Sequence, residues 1–271
     1  MIKINGKVVK LNKFPDGTLL LKEKVKSEKV KITWYFNNNE ELVALIYLVR
    51  HLKQNGIKTI DLDMPYIPNA RQDRVKNGED IFTLKYFADV INWLQFNSVT
   101  VLDPHSSVSE ALINNIRIRT PKNYVNKAIE SVFGIETFFY PDEGAMKRYS
   151  TMFNMPYAFG IKKRDWETGQ IRGIDISGMT DMIEDKKILI VDDICSRGGT
   201  FYYSAKKLKE LGANEIYLYV SHCENTIIEG ELLTSGLIEK VFTTNSIYTE
   251  RHKKVEVLNY EDESNVIDRF L

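Results

Sequence analysis

The segment ILIVDDICSRGGTF, residues 188–201, constrains the chain more than any other. Four consecutive apolar residues read as a strand buried on both faces, which points to a parallel sheet inside an α/β fold. The strand then meets two acids, a short loop of small residues and an amphipathic run. Backbone N–H groups of such a loop and of a helix N-terminus can surround a phosphate, with Gly198 and Gly199 allowing close approach and Ser196 and Thr200 adding hydroxyl donors. Asp192 and Asp193 suit sugar hydroxyls or a metal-bound water. The alternative is an ordinary acid-rich, glycine-rich turn after a strand.

The rest of the chain repeats the alternation of strands and crossover helices. Strands are expected at 7–11, 19–24, 30–35, 59–64, 98–102, 137–140, 157–162, 187–191, 215–220 and 240–243, and helices at 40–55, 82–96, 146–153, 201–211 and 226–235. In the first helix Leu42, Leu45, Ile46, Leu48 and Leu52 form an apolar stripe, and Gly56 supplies a stop. Residues 165–185, rich in Gly, Asp and Thr, read as a mobile loop. Strings SVTVLDPH and ILIVDDICSRGGT each end a strand in a polar cluster, where open α/β sheets bind ligands. A boundary at Thr120–Pro121 divides the chain into 1–120 and 121–271, one cluster in each.

Composition excludes several functions. Lys plus Arg and Asp plus Glu are both 37, so no global basic field holds nucleic acid, and any anion site is local. Two cysteines, Cys195 and Cys223, are too few for a disulfide framework in 271 residues and favour a reducing cytoplasm. No stretch approaches a membrane span and the N-terminus lacks an apolar signal core.

VDDICSRGGT resembles the ribose-5-phosphate loop of type I phosphoribosyltransferases and of ribose-phosphate pyrophosphokinases. PYIPNARQDR, TVLDPHSS, YPDEGAMKR and PYAFGIKKR resemble, in order, further motifs of the pyrophosphokinases, and the likeness runs from about Lys13 to Ser246. It implies two tandem phosphoribosyltransferase-like domains with mostly parallel sheets flanked by helices, the active site between them. It also implies magnesium-dependent transfer of the β,γ-diphosphoryl group of ATP to the C1 hydroxyl of ribose 5-phosphate, in a cytoplasmic homo-oligomer, a dimer or larger.

By the same resemblance Arg71 and Gln72 hold ATP, His105 and Asp142 serve magnesium, and Asp142, Glu143, Gly144 and Ala145 form the pyrophosphate loop. Lys162 and Arg164 face the transferring group as the catalytic cations, or Lys163 replaces Lys162 if the alignment shifts by one. Asp192, Asp193, Ser196, Arg197, Gly198, Gly199 and Thr200 hold the ribose phosphate. Phe14 and Asp16 in KFPDGT correspond to a segment that reaches a neighbouring subunit's adenine; read alone, it is a tight turn. Arg71–Arg74 read alone is a solvated loop with internal ion pairs, and Lys147 and Arg148 read as surface cations.

Three departures stand out. Thr18 replaces the family's glutamate, and few residues precede Phe14, which implies a trimmed first domain. Ala145 and Glu143 alter the pyrophosphate loop. In the ribose-phosphate loop an acid is lost and Arg197 gained, which raises local positive charge and suits an acceptor with a diphosphate at C5, such as ADP-ribose. The alternatives are a type I phosphoribosyltransferase, which forms no AMP, and a non-catalytic nucleotide-binding relative.

Overall fold

The computed structural model describes residues 1–164, 171–260 and 269–270, the side chains of 162–164, 171–174 and 269–270 excepted. The chain divides into two compact units, Met1–Thr120 with Ser264–Leu271, and Pro121–Glu263.

The first unit contains β1 (Ile2–Ile4), β2 (Lys7–Val8), β3 (Asn12–Lys13), β4 (Leu19–Leu20), β5 (Lys29–Trp34), α1 (Glu40–Gln54), β6 (Thr59–Asp63), α2 (Thr83–Trp93), β7 (Ser98–Leu102), α3 (Ser107–Leu112) and β8 (Ile116–Arg119). Strands β5 to β8 are parallel neighbours. β1 and β2 extend the sheet antiparallel at one edge, and β16 (Arg269–Phe270) pairs antiparallel with β8 at the other. Leu45, Leu48 and Leu52 of the expected stripe are buried, and Gly56 takes a φ of +84° just past the end of α1. Glu40 and Glu41 in the first turn and His51 and Lys53 in the last suit the helix dipole. The apolar positions of β5, β6 and β7, among them Ile32, Leu62 and Val101, close the core against α1 and α2.

The second unit contains α4 (Lys122–Ser131), β9 (Ile135–Tyr140), α5 (Glu143–Tyr149), β10 (Tyr157–Arg164), β11 (Ile171–Gly178), β12 (Lys187–Cys195), α6 (Gly199–Glu210), β13 (Glu215–Cys223), β14 (Lys240–Thr244) and β15 (Val255–Leu258). Its sheet runs β11-β10-β9-β12-β13-β14-β15, and only β11 is antiparallel to its neighbour. Ile188, Leu189, Ile190 and Val191 are fully buried at its centre. The fold is α/β, with mostly parallel sheets flanked by helices.

Three local expectations change. Of residues 165–185, 171–178 form β11, paired antiparallel with β10; Ile176 packs on the core, while Gly173, Asp175 and Gly178 weaken the strand pattern in the sequence. Residues 165–170 lie outside the described residues. The expected helix at 226–235 is one 3-10 turn, Asn225–Glu229, ended by Gly230. The expected strands at 7–11 and 19–24 shorten to Lys7–Val8 and Leu19–Leu20. No helix among the described residues is long and apolar enough to cross a membrane.

Candidate active site

In the first unit two polar clusters stand at strand ends. After β6, Asn69 adopts a φ of +64°, a conformation asparagine tolerates, and its carbonyl accepts from Gln72 N–H in a turn that leaves Arg71 and Gln72 exposed. The Gln72 side-chain oxygen accepts from Thr83 Oγ1 at 2.8 Å, which ties this turn to the start of α2. Asp73 points inward and is buried. Arg74 Nε and Nη2 donate to its two oxygens at 2.8 and 3.1 Å, the internal ion pair anticipated for this loop.

The second cluster follows β7. Asp103 is buried with a φ of +40°, rare for a side chain other than glycine, and its N–H donates to Arg119 O at 3.0 Å. A strained residue at a strand end is a recurrent feature of ligand sites. The chain then turns into Pro104 and half-buried His105. His105 and Ser106 face Asp73, so ARQDR and DPH converge within this unit. The Arg74 guanidinium holds the Asp73 carboxyl below its ordinary range, with Ser106 and the neighbouring His105 ring assisting against burial.

That shift sets a pH dependence. A folded pKa below the unfolded one contributes stability above the ordinary carboxylate range, near pH 4, and the contribution is lost as pH falls through the folded value. Because Arg74 is exposed, the contribution is about 1 kcal/mol at most. Asp73→Asn is therefore expected to lower Tm at pH 7 by about 2–4 °C and to shrink that difference towards zero near pH 3, followed by thermal melts across that range.

Phe14 and Asp16 lie on the β3–β4 hairpin. Gly17 has a φ of +85°, and Asp16 Oδ1 accepts from Thr18 N–H at 2.9 Å and Thr18 Oγ1 at 2.7 Å. The segment is thus a tight turn between strands, with Thr18 locking it and lowering the Asp16 pKa, and Phe14 is exposed beside it.

In the second unit β12 delivers the phosphate-type loop. Gly198 caps α6 with a φ of +81°, and a Cβ there would lie 2.8 Å from Leu232 Cδ2, so both conformation and space demand glycine. The loop, Cys195 to Gly199, joins the carboxyl end of the central strand to the N-terminus of a twelve-residue helix. Asp193 is buried and takes the Arg148 guanidinium at 2.9 Å. Asp192 is half-buried beside it; desolvation first, then the charges of Asp193 and Asp142, push its carboxyl up, against a smaller opposing pull from Arg148. Asp142 and Asp193 thus act on Asp192 electrostatically at the ends of neighbouring strands β9 and β12.

The expected pyrophosphate loop is folded into α5. Asp142 is the N-cap, its Oδ1 accepting from Ala145 N–H at 2.9 Å, so Glu143, Gly144 and Ala145 form the first helical turn. Lys147 pairs with Glu143 on the surface, whereas Arg148 turns inward to Asp193. The backbones of Lys162, Lys163 and Arg164 run past the end of the β9 pairing and are matched only by β11, with a bulge between Lys163 and Arg164. Their side chains lie outside the described residues.

Sequence reasoning missed the residues that support the loop. Ser196 Oγ donates to Glu224 Oε2 at 2.7 Å, Arg197 Nη2 donates to Glu229 Oε2 at 3.0 Å, and Gly230 lies against the Arg197 carbonyl. The added charge of Arg197 is therefore met by one carboxylate after β13, Glu229, while Glu224 takes the Ser196 hydroxyl. No spacing connects these segments in the chain; only the pairing of β12 with β13 brings Cys195 beside Cys223 and so Ser196 beside Glu224.

Two α/β units, one with a glycine-capped phosphate-type loop between its central parallel strand and a helix, define a phosphoribosyltransferase-like architecture. Residues 1–94 match the model of the N-terminal domain of ribose phosphate pyrophosphokinase, and residues 146–250 match the phosphoribosyl transferase domain. The chain is 29% identical over 264 residues to a ribose-phosphate pyrophosphokinase of Pyrococcus abyssi, covering 93% of this chain and 88% of the relative. It is 25% identical over 231 residues to one of Saccharolobus solfataricus, covering 82% and 77%. The crystal structure of phosphoribosylpyrophosphate synthetase from Mycobacterium smegmatis shares the fold, with a TM-score of 0.76, 19% identity, and coverage of 93% of this chain and 86% of that one. The chain belongs to the ribose-phosphate pyrophosphokinase family.

Proposed function

We propose that this protein transfers the β,γ-diphosphoryl group of ATP to the anomeric hydroxyl of ribose 5-phosphate, giving PRPP and AMP. The observation that carries the reading is the loop of Ser196–Thr200 at the head of α6, with Asp192 and Asp193 at the end of the strand that feeds it. Arg71, Gln72 and His105 of the first unit hold ATP, and the loop of the second holds the acceptor phosphate while Asp192 and Asp193 take its ring hydroxyls. The C1 oxygen attacks the β-phosphorus, the bond from that phosphorus to the α,β-bridging oxygen breaks, AMP leaves and the hydroxyl proton is released. Lys162 and Arg164, near the end of β10, offset the charge that develops on the diphosphoryl group.

Magnesium suits the donors present. Carboxylate oxygens are hard ligands, and the crowding that raises the Asp192 pKa is relieved by a divalent cation. His105 in the first unit and Asp142 in the second, each within its own unit, would serve magnesium or its waters, and bound magnesium would neutralise phosphate charge. The protein works as a cytoplasmic homo-oligomer, with Phe14 and Asp16 offered to a neighbouring copy's adenine; the free, buried thiols of Cys195 and Cys223 suit a reducing compartment.

A second acceptor, one with a diphosphate at C5 such as ADP-ribose, is favoured by a single feature, the guanidinium of Arg197 exposed in the loop. Incubation with magnesium, ATP and each acceptor tests the chemistry, because only diphosphoryl transfer releases AMP with a product heavier by one diphosphoryl group. Absence of AMP with every ribosyl acceptor overturns the reading.

Asp192→Asn adds an independent check. A folded pKa above the unfolded one costs stability as pH rises past the ordinary carboxylate range, so the variant is expected to melt higher than the parent at pH 7 and no higher at pH 3. Its kcat/KM falls about a hundredfold or more, as expected when a group aligned with the reacting sugar is lost. A variant that keeps full turnover removes Asp192 from the site.

A further inference from the structure

Arg197 and its neighbours in the loop are held with very different strength. Ser196 donates to Glu224 Oε2 at 2.7 Å, Thr226 Oγ1 donates to the same oxygen at 3.3 Å, and Glu224 N–H donates to Cys195 O at 2.8 Å. Gly198 is wedged against Leu232, and Gly230 against the Arg197 carbonyl. The loop backbone is therefore set from outside. The Arg197 side chain is 73% exposed and meets Glu229, 52% exposed, through one nitrogen and one oxygen at 3.0 Å. An exposed ion pair with one such contact contributes little and is readily exchanged, whereas a phosphate accepts the guanidinium fork through two bonds.

We propose that Glu229 is a specificity residue that holds Arg197 as an exchangeable arm, so that the pair sets the preference between acceptors with one phosphate and acceptors with two. This rests on the reading that the loop after β12 takes the acceptor phosphate. A first phosphate is met by the loop N–H groups and hydroxyls, whose positions do not depend on Glu229. A second phosphate lies farther out, and Arg197 reaches it only by leaving Glu229. The carboxylate competes with that phosphate for one guanidinium and repels it.

The test is calorimetric titration of ribose 5-phosphate and of ADP-ribose into the full-length protein with magnesium, for the parent, Glu229→Gln, Arg197→Met and the double variant, beside AMP release. Glu229→Gln is expected to raise affinity for ADP-ribose about fivefold relative to ribose 5-phosphate, the worth of about 1 kcal/mol. Arg197→Met lowers affinity for ADP-ribose by at least as much and leaves ribose 5-phosphate within about twofold, and the double variant matches Arg197→Met, since Glu229 acts only through the arginine. Binding through the adenine moiety moves neither ratio.

Equal weakening of both ligands in Glu229→Gln would make it a structural brace and overturn the proposal. An unchanged ratio alongside normal AMP release overturns it and leaves the proposed reaction standing. A shifted ratio without AMP release supports the specificity role and removes the reaction. Failure of folded protein to bind either ligand removes both.

Discussion

Gly230→Ala is expected to cut kcat/KM for the ribosyl acceptor about a hundredfold while the fold survives, because a displacement of about 1 Å at a reacting group costs that much. A Cβ at this position would stand 1.9 Å from the Arg197 carbonyl oxygen and 2.9 Å from its carbonyl carbon. Both atoms are backbone, so no rotamer relieves the clash and the loop itself must shift. Gly230 has a φ of −90°, so alanine is tolerated by the local backbone and the effect isolates the close approach. Melting temperature and acceptor kinetics check this together: a small change in Tm with a large loss of acceptor turnover is the expected pair. Unchanged turnover would mean that the loop's position does not matter to the acceptor.

Arg148→Met carries the second large effect. The guanidinium, 27% exposed, pairs at 2.9 Å with a carboxylate that is 6% exposed, and the variant leaves that carboxylate without this cation beside two further acids. Removing one partner of a buried pair costs about 3–5 kcal/mol, and the exposed edge of Arg148 places this case near the lower figure. In a unit of this size that is a fall in Tm of about 6–12 °C at pH 7. Pairing it with Asp193→Asn should recover a substantial part of the loss, since the cost comes from the stranded charge. The variant also removes a cation that holds the Asp192 carboxyl down, so the acid side of the pH–rate profile moves to higher pH. A fall in Tm that Asp193→Asn does not relieve would assign the damage to lost packing of Arg148 on Tyr149.

The central strand β12 and helix α6 were legible because their signal is local. Four apolar residues, two acids and a glycine pair determine strand, turn and helix in one stretch, and Gly198 reaches the positive φ that such a turn requires. Helix α1 was legible for the same reason, its stripe matching the buried face. Strand β8, with Ile116 and Ile118 inward, and helices α3 and α4 are short, and their patterns do not stand out against loop composition. The 3-10 turn at Asn225–Glu229 has an apolar spacing that fits a longer α-helix equally well.

The same division runs through the candidate site. The chain's own order determined the α/β class, the motifs at strand ends and the residue types that suit a phosphate, because each rests on neighbours within a few positions. Only the tertiary structure decided that Arg148 belongs to Asp193, 45 residues away, and that Glu224 and Glu229 hold Ser196 and Arg197 from 28 and 32 residues away. Parallel pairing aligns the carboxyl ends of distant strands, and a charge's partner is whichever group the adjoining strand delivers there. Counted along the chain, Arg197 looked like surplus positive charge; in the fold it stands against a carboxylate.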